Sequence, residues 1–173
     1  MKTIAKIGFL AVLLAILASG CAYYPAKTEV KSLNNLSRES ENLVFEVVVD
    51  KADETKISEK ALKEIQGLIL KELRSKNIKT QEKAPLLTKI HIIAYDEGNA
   101  DLRFLIGFGA GKSLIGAIVS ITHKEKTIFE GKIKSETATN PFNFNSFFGT
   151  EEGVQKVFSE EVASVLEKIV KNQ

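Results

Sequence analysis

Between Gly107 and Ser113 the chain reads Gly-Phe-Gly-Ala-Gly-Lys-Ser. These residue types can hold phosphate: glycine amides line an anion, a lysine reaches its outer oxygens, and a hydroxyl holds Mg²⁺. The spacing departs from the phosphate-loop motif, which needs glycine five positions before the Gly-Lys pair, where this chain has Ile106. Context departs as well. The motif opens a helix whose N-terminus faces the anion, whereas Leu114-Ile115-Gly116-Ala117-Ile118-Val119 reads as a strand. Gly107, Gly109 and Gly111 are therefore expected to serve tight turning and close backbone approach, with Lys112 and Ser113 as ligand contacts in the alternative reading. His91 and His123 are the two histidines, and no cysteine remains for a metal once Cys21 is acylated, whereas a catalytic zinc wants three protein ligands. In strand alternation His91 shares a face with Lys89, Ile93 and Tyr95, a surface or sheet-edge setting. No strand-turn-helix nucleophile elbow frames a serine. No metal, cofactor or catalytic residue is expected.

A second unusual segment is Asn140-Pro141-Phe142-Asn143-Phe144-Asn145-Ser146-Phe147-Phe148-Gly149, which holds four of the ten phenylalanines. Two readings stand. Phe142, Phe144, Phe147 and Phe148 could form an exposed apolar patch for a partner or membrane, or they could fold under the domain and close one end of its core.

The amino terminus has the order of an export signal: basic Lys2 and Lys6, an apolar run from Ile7 to Leu17, then the small residues Ala18-Ser19-Gly20 before Cys21. The run is shorter than the ~20 apolar residues that span a bilayer. Leu17-Ala18-Ser19-Gly20-Cys21 resembles the lipobox of bacterial lipoproteins, in which the cysteine sulfur receives lipid. That resemblance implies cleavage before Cys21 and acyl chains, palmitate among them, on the new terminus. Each buried methylene would contribute about 0.8 kcal/mol to anchoring, and more than one chain makes the anchor durable. Ala22 stands where an aspartate would resemble an inner-membrane retention signal, which favours the outer membrane of a two-membrane bacterium, facing the periplasm.

Removing Lys2 and Lys6 balances the 24 basic and 22 acidic residues of the full chain. A balanced domain lacks the clustered basic surface that nucleic acid requires, so no nucleic-acid partner is expected. With Cys21 the only cysteine, no disulfide can form within one molecule, and stability must come from the core.

At 173 residues the chain suits one domain. The expected division is a signal peptide over 1–20, a lipidated terminus and flexible tether over 21–42, and a single domain over 43–173. Leu43 to Val49 is a β-branched run that reads as a central strand. Ala61, Leu62, Ile65, Leu68, Ile69 and Leu73 recur at three- and four-residue steps, so Glu59 to about Lys76 reads as an amphipathic helix capped by Ser58. Ile78 to Thr80 is a candidate edge strand and Leu87 to Tyr95 a longer one. Leu114 to Thr122 and Thr127 to Thr137, joined by a short polar link, read as a hairpin. Glu151 to Lys171 closes the chain as a helix with Thr150 as its cap. The fold class is α/β (α+β): a two-layer sandwich, a mixed or antiparallel sheet of four to five strands with two amphipathic helices on one face.

Arg103-Phe104-Leu105-Ile106-Gly107-Phe108-Gly109-Ala110-Gly111-Lys112, followed by an alternating strand, resembles the core motif of an uncharacterised group of bacterial lipoproteins, the domain of unknown function 4410 family. The resemblance extends over most of the mature chain. It departs after Thr122, where His123-Lys124-Glu125 stands in place of an acidic turn. It implies an envelope lipoprotein and supplies no catalytic residues. The function expected is a noncatalytic binding, adaptor or assembly module anchored to the membrane by its lipid, with an envelope protein as partner. The alternative is a small-ligand or phosphate-binding protein using residues 107–113.

Overall fold

The structure is a computed structural model that describes residues 26–33, 43–98, 112–136 and 151–171. Cys21, Gly107, Gly109, Gly111, Phe142, Phe144, Phe147, Phe148 and Thr150 lie outside the described residues. In chain order the elements are β1 (Ala26–Leu33), β2 (Val44–Lys51), α1 (Glu59–Ser75), β3 (Lys79–Thr80), β4 (Leu86–Asp96), β5 (Leu114–His123), β6 (Lys126–Glu136) and α2 (Glu151–Lys171).

Helix α1 forms where apolar spacing and end chemistry agree. Ser58 is its N-cap, the side-chain Oγ accepting from the Ala61 amide at 3.1 Å, and Ala61, Leu62, Ile65, Ile69 and Leu73 make the buried stripe. Beyond Lys76 the backbone turns left-handed at Asn77, φ 58°. The Ile78 amide then donates to the Leu73 carbonyl at 2.9 Å and the Asn77 amide to Arg74 at 3.0 Å. That pair of bonds is a Schellman closure, and its characteristic apolar contact is available because Leu73 and Ile78 are both buried.

The strands form one six-stranded sheet in the order β1-β6-β5-β4-β2-β3. β2 runs parallel to β4 and β3; the other pairs are antiparallel. β5 and β6 join through Lys124 and Glu125, both left-handed at φ 47° and 65°, the arrangement of a tight type I′ turn that matches strand twist. Helix α1 lies over β2 and β3, α2 lies over β6, β5 and β1, and the helices pack on each other. At their far ends Lys76 of α1 reaches Glu167 of α2 at 2.7 Å. Glu167, hydrogen-bonded first by Lys171 and then by Lys76, has its carboxyl held down at about 2.

The mixed α+β class and the paired helices on one face agree with the sequence reading, but three details are corrected. The sheet has six strands instead of four to five. The added strand, β1, lies inside the stretch read as a tether; it pairs with β6 from Ala26↔Ser135 to Leu33↔Phe129, and Thr28 donates to the Glu161 carboxylate of α2. β2 is not central: among the described residues only the two-residue β3 lies outside it, paired at Val44 and Phe45. Among the described residues no helix is long and apolar enough to cross a membrane.

Candidate functional site

Because strand side chains alternate, the sheet has one face under the helices and one open face. On the covered face Phe45, Ile90, Ile92, Ala117, Val119, Ile121 and Ile133 have no exposed surface. The register assembles the open face into rows across the strands: Val48 beside Lys89, and Asp50 beside His91 beside Ile118 beside Lys132. Val48, Leu87 and Ile118 are 37%, 37% and 39% exposed, so three large apolar side chains meet solvent on this surface.

Asp50 joins two strands here. One carboxylate oxygen lies 2.7 Å from His91 Nδ1 and the other accepts from Lys89 Nζ at 2.9 Å. Partial burial pushes the Asp50 carboxyl up, but the bonds from Lys89 and His91 outweigh it and leave the group below its ordinary value. An aspartate on Nδ1 orients a histidine as in acid–base catalysis. That chemistry needs a nucleophile in reach, and no hydroxyl or thiol among the described residues hydrogen-bonds to the ring. The side chains of His91, Asp50 and Lys89 are 36%, 38% and 51% exposed, so the cluster lies on a solvated surface and not in a water-excluding cleft. Toward β1 the same face carries the ion pairs Lys31–Glu130 and Lys134–Glu136. Among the described residues no group of three or more His, Cys, Asp or Glu side chains could hold a metal ion.

The residues singled out in the glycine segment are met only at its edge. Ser113 is 1% exposed, and its hydroxyl donates to the Glu97 carbonyl at 2.7 Å, a bond that staples the two sides of the connection between β4 and β5. Gly98, at φ 76°, turns the other side and its amide donates to the Asp96 carboxylate at 2.7 Å. Half-buried Lys112 acts with Lys27 on Glu136, whose carboxyl is lowered chiefly by its hydrogen bond from Lys134. Directly after Ser113 comes β5, a strand and not a helix, so no helix N-terminus follows the Gly-Lys-Ser sequence. Tyr95 is another correction. A bulge between Ile92 and Ala94 shifts the alternation by one residue, so Tyr95 leaves the His91 face and packs against the core, with Gln155 Nε2 3.4 Å from its hydroxyl.

Sequence reasoning put His91 and Lys89 on one surface and missed Asp50, the residue that joins them. The contact depends on the parallel β2–β4 register, for which the sequence carries no local signal.

Among the described residues both helices lie on one side of the mixed sheet and none on the other, which defines a small two-layer α+β sandwich. The chain belongs to the family described as "Domain of unknown function (DUF4410)", which matches residues 24–144, more than half of its length. No curated protein matches the sequence. Among solved structures, the chain is similar to a dodecamer of a point variant of PelC from Paraburkholderia phytofirmans, with TM-score 0.54 and 10% identity over 84% of this chain and 98% of that one. It is likewise similar to the PelC dodecamer from the same organism, with TM-score 0.52 and 12% identity over 81% of this chain and 96% of that one. At identities this low the likeness shows the fold alone.

Proposed function

We propose that this protein is a lipid-anchored module of the bacterial cell envelope, exported, cleaved before Cys21 and held at the outer membrane facing the periplasm, where it acts without catalysis as an adaptor or assembly component. The observation that carries the reading is the lipobox-like Leu17-Ala18-Ser19-Gly20-Cys21, separated by four residues from the first strand. Two further observations support it. The Asp50–His91–Lys89 cluster stands on an open sheet face beside Val48, Leu87 and Ile118, a surface suited to contact with another protein. The similar PelC structures are described as dodecamers, which makes further copies of this chain the first partners to test.

Mass spectrometry of the native protein is expected to find an N-terminus at Cys21 bearing acyl chains, and Cys21→Ala is expected to leave the membrane fraction or accumulate as precursor. Crosslinking in intact membranes is expected to yield a ladder of multiples of the mature mass. A mature terminus elsewhere, without fatty chains, would overturn the anchor; a monomer band alone would overturn self-assembly.

A further inference from the structure

The strand register brings distant parts of the sequence to one end of the sheet. Ala26 lies opposite Ser135, Leu114 opposite Glu136, and Asp96 opposite Leu114. The start of β1, the exit of β4, the entry of β5 and the exit of β6 therefore share one end. The opposite end carries Leu86 and His123, with Lys126 beside them. With about 3.4 Å of rise per residue, the ten steps from Lys126 to Glu136 separate the two ends by roughly 34 Å.

Four residues, 22–25, lie between Cys21 and β1. Fully extended, the five steps from Cys21 to Ala26 reach about 18 Å at most. This leash is much shorter than the strands, so lipid on Cys21 holds the Ala26 end close to a bilayer and leaves the Lys126 end farther away. Two of the four linking residues are Tyr23 and Tyr24, and tyrosine favours the headgroup layer. The two segments departing from the same end are rich in phenylalanine, and of the two only residues 99–111 carry charge, at Asp101 and Arg103. Residues 137–150 include no Asp, Glu, Lys or Arg and contain Phe142, Phe144, Phe147 and Phe148, while residues 99–111 add Phe104 and Phe108. Of the nine phenylalanines that follow Cys21, these two connections hold six.

We infer that the domain stands on the membrane on the end marked by Ala26, Asp96, Leu114 and Glu136, with that end against the lipid surface and the β5–β6 turn pointing away. The inference rests on the proposed acylation of Cys21 and adds an orientation to it. The open face, with Asp50, His91 and Ile118, then runs up from the bilayer, available to a neighbour standing on the same membrane.

The test uses the full-length acylated protein reconstituted into phosphatidylethanolamine–phosphatidylglycerol vesicles that contain a headgroup-nitroxide lipid. Acylated Cys21 offers no thiol, so single variants Glu97→Cys, Lys126→Cys and Leu87→Cys can each be labelled with a fluorophore at an exposed position. Quenching is expected to be several-fold stronger at position 97 than at 126. Equal quenching at the two ends, or the strongest quenching at position 87, would overturn the orientation. Vesicle flotation of unlabelled protein reports the anchor separately: protein that floats while its ends quench equally keeps the anchor and loses the orientation. Protein that does not float loses both.

Discussion

The two faces of the sheet are made from alternate residues of the same strands, yet they hold different kinds of interaction. In β4, Ile90 and Ile92 are fully buried under the helices, while Lys89 and His91 between and beside them reach solvent and bind Asp50. In β5, Val119 and Ile121 are buried whereas Ile118 is 39% exposed. Full burial of an aliphatic side chain is worth about 1.5–3 kcal/mol; a surface ion pair contributes about 0.2–1 kcal/mol. The covered face therefore carries the stability of this disulfide-free domain, and the open face can vary its chemistry at little cost to the fold. A surface freed from structural duty in this way is where contacts with other molecules can be placed.

The sharpest way to break that division is to truncate one residue on each side. Phe158, on the face of α2 turned to the sheet, has no exposed surface. Phe158→Ala is expected to lower unfolding free energy by about 3–5 kcal/mol, whereas Ile118→Ala on the open face should cost under about 1 kcal/mol, half-exposed groups losing little transfer energy. Urea denaturation of the two variants beside the parent measures both. Comparable losses would mean that the open face is itself covered in solution.

A smaller effect is expected at Gly131, which lies on the covered side opposite Val119. A Cβ there would stand 2.7 Å from Phe129 Cζ and 3.0 Å from the Glu29 carbonyl oxygen of β1. The ring can shift, but the backbone oxygen belongs to the paired edge strand. Gly131→Ala is thus expected to cost about 1–3 kcal/mol by overpacking and to speed hydrogen exchange of the β1 amides more than those of β4. Uniform exchange across the sheet would show that β1 is not held at this point.

What could be read from the sequence follows the same division. α1 with its Ser58 cap, α2 over Glu151–Lys171 and the β5–β6 hairpin were legible because burial of one face writes an apolar period into the chain. β1 was not legible. Ala-Lys-Thr-Glu-Val-Lys-Ser-Leu has the composition of a solvated tether, and Val30 within it is 60% exposed; backbone pairing to β6, which leaves no mark in composition, makes it a strand. The bulge in β4 hid the true side of Tyr95 for a related reason, since a single inserted residue reverses every later assignment. Of the candidate site, Lys89 and His91 could be put on one face by alternation alone. Asp50 could not, because it is 41 residues from His91 and meets it only through the register of two parallel strands. The shared end of Ala26, Asp96, Leu114 and Glu136 was hidden likewise: it is a property of topology, not of any segment.

The smallest expected effect concerns Asp50, and its direction with pH is the informative part. The carboxyl has an ordinary value of 3.8 and is lowered in the folded protein, the bonds from Lys89 and His91 overcoming the opposing effect of burial. A lowered folded-state value means that the group stabilises the fold fully above its unfolded value, at roughly pH 5 and higher, and that this contribution is lost as pH falls through the folded value. Asp50→Asn should therefore be less stable than the parent by about 0.2–1 kcal/mol near neutrality, with the gap narrowing as pH falls through and below the ordinary carboxylate value. Urea midpoints measured from pH 7 down to pH 3 test this. A gap of several kcal/mol near neutrality would mean that the Asp50–His91–Lys89 cluster is shielded from water by another molecule, and the open face would then be an occupied interface in the protein as isolated.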